Sequence, residues 1–427
     1  AASYLPARRL VTSLTCLPSL TLLDRLLPPA PTDEAINGTP SCANSALTNG
    51  LLRDQLGFDG FVVSDCHAIC DFEPECVASA TYKHPGHGYS ADDGAAVKAA
   101  LHGGTDVNCG PIYGRAMAGA LANKTITLDQ VDMAAARVFT AMIRLGLLDP
   151  DDYQKQPYRK LGASDVDTPA SRQLALEASR QSIVLIKNEG ETLPLKLPAK
   201  AKPAATAAGK ETGAARATTK IAFLGPHANA TQDLLSNYHG TNTLVDSHSP
   251  LMEMRARFAS STGSGSDGSD GSDGSVRAVD VEYAQGCDIS SNDTSGIAAA
   301  VALAKEADLT VVFVGLDQTQ ESESNDRDKH NSDAQLALDT TTLPGVQQQL
   351  VEQVCAASAG PSVTKGAGAG SKCVVVLING GSLSVEWMKG AESVGALVEA
   401  FYGGELGGEA IVDVLIGKVN PSGKVGR

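Results

Sequence analysis

The sequence predicts an α/β protein with largely parallel strands. Three observations point there. Residues 46–150 alternate short apolar strands with amphipathic helices. Residues 176–427 do the same with longer, near-continuous apolar strands such as VVFVGL and CVVVLI, the pattern of strands buried on both faces. Two strands, FVVSD at 61–65 and DLTVVFVGLD at 308–317, run straight into acidic residues, and in parallel α/β sheets ligands bind at the carboxyl ends of the strands.

Taken in order, residues 1–35 are unassigned. They carry an Arg pair and apolar pieces broken by Pro6, Pro18, Pro28, Pro29 and Pro31, without the clean apolar core of a signal peptide. ALTNGLLRDQLG (46–57) reads as a short amphipathic helix stopped by Gly57, and FVVSD as a strand. GAAVKAALHGG (94–104) reads as a helix ending on a glycine pair, and TDVNCG (105–110) as a strand-like element closing in a turn. TLDQVDMAAARVFTAMIRLGLLD (127–149) reads as a long helix with Thr127 as N-cap and Gly146 as stop. Polar, proline-bearing residues 151–175 read as a linker. ASRQLALEASRQSIVLIKN (170–188) gives a helix and a strand that open a further parallel unit. Strands at TKIAFLG, DLTVVFVGL, CVVVLING and ALVEAF follow, with helices GIAAAVALAKEA, PGVQQQLVEQVCAA and GGEAIVDVLIG between or after them. Low-complexity stretches near 197–219, 261–275 and 360–372 read as disordered insertions. The second half is therefore an open α/β sheet with helices on both faces.

Composition excludes several functions. Forty-nine Asp and Glu against 34 Lys and Arg leave a formal net charge of -15 over 427 residues. Nucleic acid and anionic membrane surfaces both reward positive charge, so neither is an expected partner. No apolar run is long enough to span a bilayer. Nine scattered cysteines do not form a disulfide scaffold by spacing alone. Cys66, Cys70, Cys76, His84 and His87 fit no common zinc spacing, and no metal site is expected. Sequons at Asn37, Asn123, Asn229 and Asn292 are compatible with a secreted glycoprotein, which places the chain in the extracellular space or cell wall. No GxGxxG turn leads from a strand into a helix, and a P-loop is absent, against a nucleotide-binding role.

Asp65 is the first candidate residue. An Asp at that position serves as a helix N-cap, a phosphoacceptor or metal ligand, or a nucleophile toward sugar. The second candidate group is the acidic run LDQTQESESNDR, with Asp317, Glu321, Glu323, Asp326 and Arg327. It is either a solvated loop or a device that delivers a carboxylic acid to a cleft.

The stretch NGTPSCANSALTNGLLRDQLGFDGFVVSDCHAI resembles the nucleophile region of glycoside hydrolase family 3. LDQTQESESNDR followed by LPGVQQQLV is similar to the acid/base loop of its β-xylosidase branch. GGTDVNCG, VLIKNEGETLPL, GPHANATQDLLSNYHG, VVVLINGGSLSVEW and FYGGELGGEAIVDVLIGKVNPSGK follow in family order, so that the resemblance covers about residues 36–424. It implies a (β/α)8 barrel followed by an α/β sandwich domain with a mostly parallel sheet. On this basis residues 36–150 would be the last units of the barrel only, and 176–427 the sandwich. The family's earlier strands and sugar-holding residues find no counterpart here, and the chain reads as truncated at both ends. The implied chemistry is hydrolysis of a β-linked sugar with retention, by two carboxyl groups about 5–5.5 Å apart. Asp65 would be the nucleophile. Glu321 would be the acid/base, its pKa raised by Asp317, Glu323 and Asp326, with Glu323 as the alternative. The resemblance also implies a Cys66–Cys109 disulfide beside the nucleophile, where glucosidases of the family carry an aromatic residue, and this favours pentose over hexose. The expected activity is thus that of an exo-acting β-D-xylosidase on xylo-oligosaccharides, needing no cofactor. The alternatives are a β-glucosidase, an α-L-arabinofuranosidase or a catalytically inactive fragment.

Overall fold

A computed structural model describes residues 13–15, 35–77, 83–197, 219–240, 247–258, 279–322, 341–359 and 373–424. The three expected insertions fall almost wholly outside these residues, as do Glu323, Asp326 and Arg327. The chain divides into two compact units, residues 1–163 and 164–427.

In the first unit, β1 (Ser13–Thr15) pairs in parallel with β2 (Phe61–Val63). A strand therefore lies inside the 1–35 stretch that the sequence left unassigned. Its three residues carry no periodicity that would announce a strand. On the other side of β2 the expected TDVNCG strand is reduced to a parallel bridge between Val63 and Val107. A wide-turn helix over Ala46–Gln55 precedes β2 and ends before Gly57, whose φ is +70°. Helix α1 (Asp93–Gly103) is capped by Asp92, which accepts from the Ala95 amide at 2.8 Å. Helix α2 (Ile112–Ala122) was not expected from sequence. Gly114 and Gly119 weaken its propensity, and burial of Ile112 and Ala120 in the core around α1 sustains it. Helix α3 (Leu128–Arg144) opens on a full capping box between Thr127 and Gln130. It buries only Ala134 and Ala141, and leaves Met133, Phe139 and Ile143 more than half exposed. Ile69, Phe72, Val97 and Ile112 are the large members of this unit's core.

The second unit begins inside the expected linker. Helix α4 (Pro169–Ser182) starts within 151–175, with the Thr168 hydroxyl accepting from the Ser171 amide at 3.1 Å. Thr168 and Pro169 supply the N-cap and first-turn signals, which outweigh the polarity that suggested a linker. The strands described in this unit are β3 (Val184–Asn188), β4 (Thr219–Leu224), β5 (Val279–Ala284), β6 (Leu309–Gly315), β7 (Cys373–Ile378) and β8 (Val394–Glu399). They form one sheet in the order β3-β8-β7-β6-β4-β5. All neighbours are parallel except β3, which runs antiparallel to β8. The expectation that α4 and β3 open another parallel unit is corrected here. The strand sits at an edge, where an antiparallel partner needs no crossover. β5 was missed because its inner positions alternate with Asp280 and Glu282 on a half-solvated edge.

Alternate residues of the central strands feed two cores. Phe223, Val311, Phe313, Val374, Val376 and Val398 face α4, α5 (Pro250–Phe258) and α8 (Gly407–Leu415). Leu224, Val312, Val314, Val375 and Leu377 face α6 (Ile297–Glu306) and α7 (Gln347–Ala359). Every residue of β7 is buried, and each large side chain so buried contributes about 1.5–3 kcal/mol relative to exposure. β6 ends at Gly315, with φ +154° and a would-be Cβ 1.9 Å from the Ile378 carbonyl oxygen. Only glycine lets β6 and β7 lie that close as the chain turns out toward residues 317–321.

Candidate active-site residues

In the first unit Asp65 lies two residues beyond β2. Ser64 is buried and locks the strand end. Its amide donates to the Val107 carbonyl at 2.8 Å, and its hydroxyl accepts from the Cys109 amide at 2.9 Å. One residue on, Cys66 is bonded to Cys109, and the His67 amide donates to the Cys109 carbonyl at 2.7 Å. The chain turns through His67 at φ +71°. Asp65 is thus carried on a stapled turn while its side chain remains exposed. Among the described residues, the donor on its carboxylate is the adjacent Cys66 amide, at 2.7 Å from Oδ1. Asp65 caps no helix, because the chain passes through a turn into the single 3-10 turn Cys70–Phe72, which has no side-chain cap. The bland N-cap use therefore fails at this position.

A second aspartate, beside β2, was not singled out from sequence. Asp106 is buried and accepts from the Val62 amide at 2.8 Å, from Arg53 at 2.6 Å and from Arg137 at 2.7 Å. Two guanidinium groups and one amide satisfy a carboxylate that would otherwise be costly to bury. Asp106 thereby ties the wide-turn helix, β2 and α3 beneath the Asp65 turn. Nearby, Arg115 forks onto Asp93 and donates to the Val77 carbonyl at 2.6 Å. Burial, then the neighbouring Asp93, pushes Glu73 up to about 7. The cysteines of the rejected zinc constellation are committed elsewhere, Cys70 to Cys76 and Cys66 to Cys109.

In the second unit the chain leaves β6 into a turn opened by Asp317. Its Oδ1 accepts from the Thr319 amide at 2.8 Å and the Thr319 hydroxyl at 2.6 Å, and its carbonyl accepts from the Glu321 amide at 3.0 Å. Glu321 then reaches the loops after the next two strands. Its Oε1 accepts from the Gly380 amide at 2.5 Å and the Tyr402 hydroxyl at 2.5 Å, and its Oε2 from the Gly381 amide at 2.6 Å. Of the carboxylates expected to crowd Glu321, Glu323 and Asp326 lie outside the described residues. Asp317 is occupied in its own turn, and Glu321 is met by three donors. Sequence reasoning named neither Tyr402 nor the two glycines.

Behind that clamp lie Asn379, just after β7, and Glu399, the last residue of β8. The Asn379 side-chain amide donates to the Gly381 carbonyl at 2.9 Å and to Glu399 Oε2 at 3.4 Å. Glu399 is buried, and burial pushes its carboxyl up to about 7 against the lowering effect of its bonds to the Phe401 amide and Asn379. Burial first, and Glu321 second, raise the Tyr402 phenol well above its ordinary value. Both Asn379 and Glu399 obey the strand-end rule that singled out Asp65, and applying it to every strand would have found them.

One cluster of metal-ligand type occurs among the described residues, His248 with Glu253 and Glu409, whose ligand atoms lie within 4.8 Å of one another. Arg257 at 3.2 Å and Arg180 at 3.6 Å already neutralise Glu409, which argues against a cation there.

Comparison with known proteins bears on both units. The model described as Glycosyl hydrolase family 3 N terminal domain matches residues 32–141, and that described as Glycosyl hydrolase family 3 C-terminal domain matches residues 183–426. The chain belongs to glycosyl hydrolase family 3. A probable exo-1,4-beta-xylosidase of Aspergillus fumigatus is 32% identical over 394 residues, covering 92% of this chain and 41% of the relative. Probable beta-D-xylosidase 7 of Arabidopsis thaliana is 32% identical over 390 residues, covering 91% and 41%. The solved structure of a GH3 exo-beta-xylosidase with a xylobiose aziridine probe aligns with a TM-score of 0.67 at 28% identity, over 90% of this chain and 40% of that one. A beta-glucosidase from Listeria innocua in complex with glucose aligns with a TM-score of 0.65 at 23% identity, over 92% and 43%, and shares the fold. The chain spans about two fifths of the length of these family 3 relatives. Among its described residues no helix is long and apolar enough to cross a membrane.

Proposed function

We propose that the full-length protein is a retaining, exo-acting β-glycosidase, and specifically a β-D-xylosidase that releases xylose from xylo-oligosaccharides. The observation that carries this is Asp65: an exposed carboxylate at a parallel strand end, held on a disulfide-stapled turn, with one backbone amide upon it. A nucleophile must be positioned firmly yet stay uncommitted to strong partners. In the first step an Asp65 oxygen bonds to the anomeric carbon as the glycosidic C–O bond breaks, and a carboxylic acid passes its proton to the departing oxygen. In the second, the same acid, now a base, takes a proton from water, whose oxygen displaces Asp65 and frees the sugar. The acid/base comes from the turn after β6, as Glu321 or Glu323. Residues 36–150 are assigned to the last units of a (β/α)8 barrel and 176–427 to the sandwich domain.

The substrate assignment rests on relatives named as xylosidases and on the Cys66–Cys109 staple, which replaces a large ring beside the nucleophile and shapes a smaller sugar subsite. A relative from Medicago sativa named as a beta-xylosidase/alpha-L-arabinofuranosidase, 31% identical, keeps arabinofuranoside as the second substrate to try. Three disulfides suit the oxidising conditions outside the cell. Incubation of the full-length protein with aryl β-xyloside, β-glucoside and α-arabinofuranoside provides the test. Release fastest from the xyloside is expected, and no release from any of the three defeats the proposal.

A further inference from the structure

Residues 106–109 run beside residues 62–67 and bind them one after another. The Asp106 and Val107 amides donate to the Val62 carbonyl at 2.8 and 3.0 Å. The Ser64 amide donates to the Val107 carbonyl at 2.8 Å, and the Ser64 hydroxyl accepts from the Cys109 amide at 2.9 Å. Cys66 is bonded to Cys109, and the His67 amide donates to the Cys109 carbonyl at 2.7 Å. Segment 106–109 is thus a splint along the turn that carries Asp65, whose own side chain it leaves exposed.

The root of the splint is a carboxylate standing where a main-chain carbonyl would be expected. The bonds around the Val63–Val107 bridge follow the parallel pattern, and one more step of that ladder would bring the Val62 amide to the Thr105 carbonyl. That carbonyl accepts instead from the Tyr113 hydroxyl at 2.8 Å, and the Val62 amide donates to Asp106 Oδ2 at 2.8 Å. The distance of β2 from the splint is therefore set by a side chain and by what holds it. Arg53, from the wide-turn helix, donates to Oδ2 at 2.6 Å, and Arg137, from α3, to Oδ1 at 2.7 Å. Arg53 also donates to the Gly60 carbonyl at 2.7 Å, just ahead of β2. The Asp106 side chain is 1% exposed, so no solvent takes over a lost bond. An amide in its place would turn an NH2 group toward one of three donors. A main-chain ladder would hold the strand without a buried charge. The carboxylate, with its charge-assisted bonds, fixes β2 against two helices at once.

We propose that Asp106 is a positioning residue for the nucleophile. With Arg53 and Arg137 it sets the seat of β2 against segment 106–109, and so the point from which Asp65 attacks. The catalytic consequence rests on the glycosidase reading, while the seat itself does not.

The full-length protein tests this with a 2-deoxy-2-fluoro-β-xyloside that bears a good leaving group. An Asp65 oxygen bonds to the anomeric carbon as the leaving group departs with the electron pair, and the fluorine slows hydrolysis of the resulting ester. The rate of covalent labelling, followed by mass, therefore reads nucleophilic attack. Asp106→Asn is expected to lower the limiting labelling rate constant by about 10- to 100-fold, with the half-saturating concentration changed less than about threefold. Arg137→Gln keeps Asp106 with Val62 and Arg53, and a loss of about 3- to 10-fold is expected. Rate constants are referred to the folded fraction found by denaturant titration, so lost stability alone does not register. Arg144→Ala removes a different ion pair of α3, to Asp59 and away from the splint, and should label as the wild type does. A wild-type rate constant in folded Asp106→Asn overturns the proposal. Where that variant does not fold, a wild-type rate constant in Arg137→Gln does so, and so does an equal slowing in Arg144→Ala. Amide hydrogen exchange on peptides covering 61–67 decides the seat without any substrate. Faster exchange in Asp106→Asn and Arg137→Gln, but not in Arg144→Ala, supports it, and unchanged exchange overturns it. A wild-type protein that neither labels nor hydrolyses any glycoside defeats the glycosidase reading, and the exchange data still decide the seat.

Discussion

Asp65 and Glu321 are both acids placed just beyond the carboxyl ends of parallel strands, yet their surroundings differ. The Asp65 turn is rigid in its backbone, through the Ser64 bonds and the Cys66–Cys109 bridge, while its carboxylate meets one neighbouring amide. At Glu321 the carboxylate itself is the fastening, with three donors between 2.5 and 2.6 Å. Rigidity is thus supplied by the main chain in one place and by the acid in the other. A strand-end position says that an acid is available to a cleft, and its hydrogen bonds say how its carboxylate is held.

The largest effect expected from that contrast is at Asp65. Asp65→Asn keeps the shape and removes the nucleophile, and steady-state assays on aryl xylosides should show a loss of roughly 10⁴-fold or more. A loss below tenfold would place Asp65 outside the chemistry. Next comes the staple. Removing the Cys66–Cys109 link by paired Cys→Ser changes frees a loop with a sequence separation of 43, which the chain-entropy model values at about 4 kcal/mol. Denaturant titration measures this, and an unchanged midpoint would show that Ser64 alone holds the turn.

Glu399 gives a smaller, pH-dependent effect. Its carboxyl stands at about 7 in the fold against 4.5 ordinarily, because burial disfavours the charge. The protonated form therefore stabilises the fold fully below about pH 4.5, and the contribution is lost as pH rises through about 7. At about 1.4 kcal/mol per pKa unit, the swing is on the order of 3–4 kcal/mol. The thermal midpoint should fall across that window, and Glu399→Gln should flatten the fall. An equally steep fall in the variant would assign the dependence to other groups, Glu73 among them. The smallest expected effect is that of Gly381→Ala. The new methyl displaces the tip of the Glu321 side chain, which can swing away, so stability should drop by only about 1 kcal/mol. Amide hydrogen exchange on peptides spanning 379–381 should nonetheless quicken, because the Gly380 and Gly381 amides lose their bonds to Glu321, and unchanged exchange would show that the clamp tolerates the methyl.

Legibility in the sequence tracked the range of the interactions. Thr127 with Gln130 and Asp92 with Ala95 lie three residues apart, and the helices they cap were readable. Asp65 stood out because a strand running into an acid is itself a local pattern. Gly380, Gly381 and Tyr402 lie 59, 60 and 81 residues from Glu321 along the chain, and no spacing announces them. Asp106 was passed over for the same reason, with partners at Arg53 and Arg137. α2 was missed because its glycines lower a propensity that packing restores.

By itself, the order of residues determined the alternation of strand and helix, the two-faced burial of the central strands, the caps, and the strand-end sites where acids gather. Each of these depends on near neighbours and on periodicity. Only the tertiary structure decided that β3 runs antiparallel, that a triplet near the start pairs with β2, and that Glu321 is gripped while Asp65 is left open. Those outcomes depend on which distant segments meet once loops close, and that choice is made by the free energy of the whole fold.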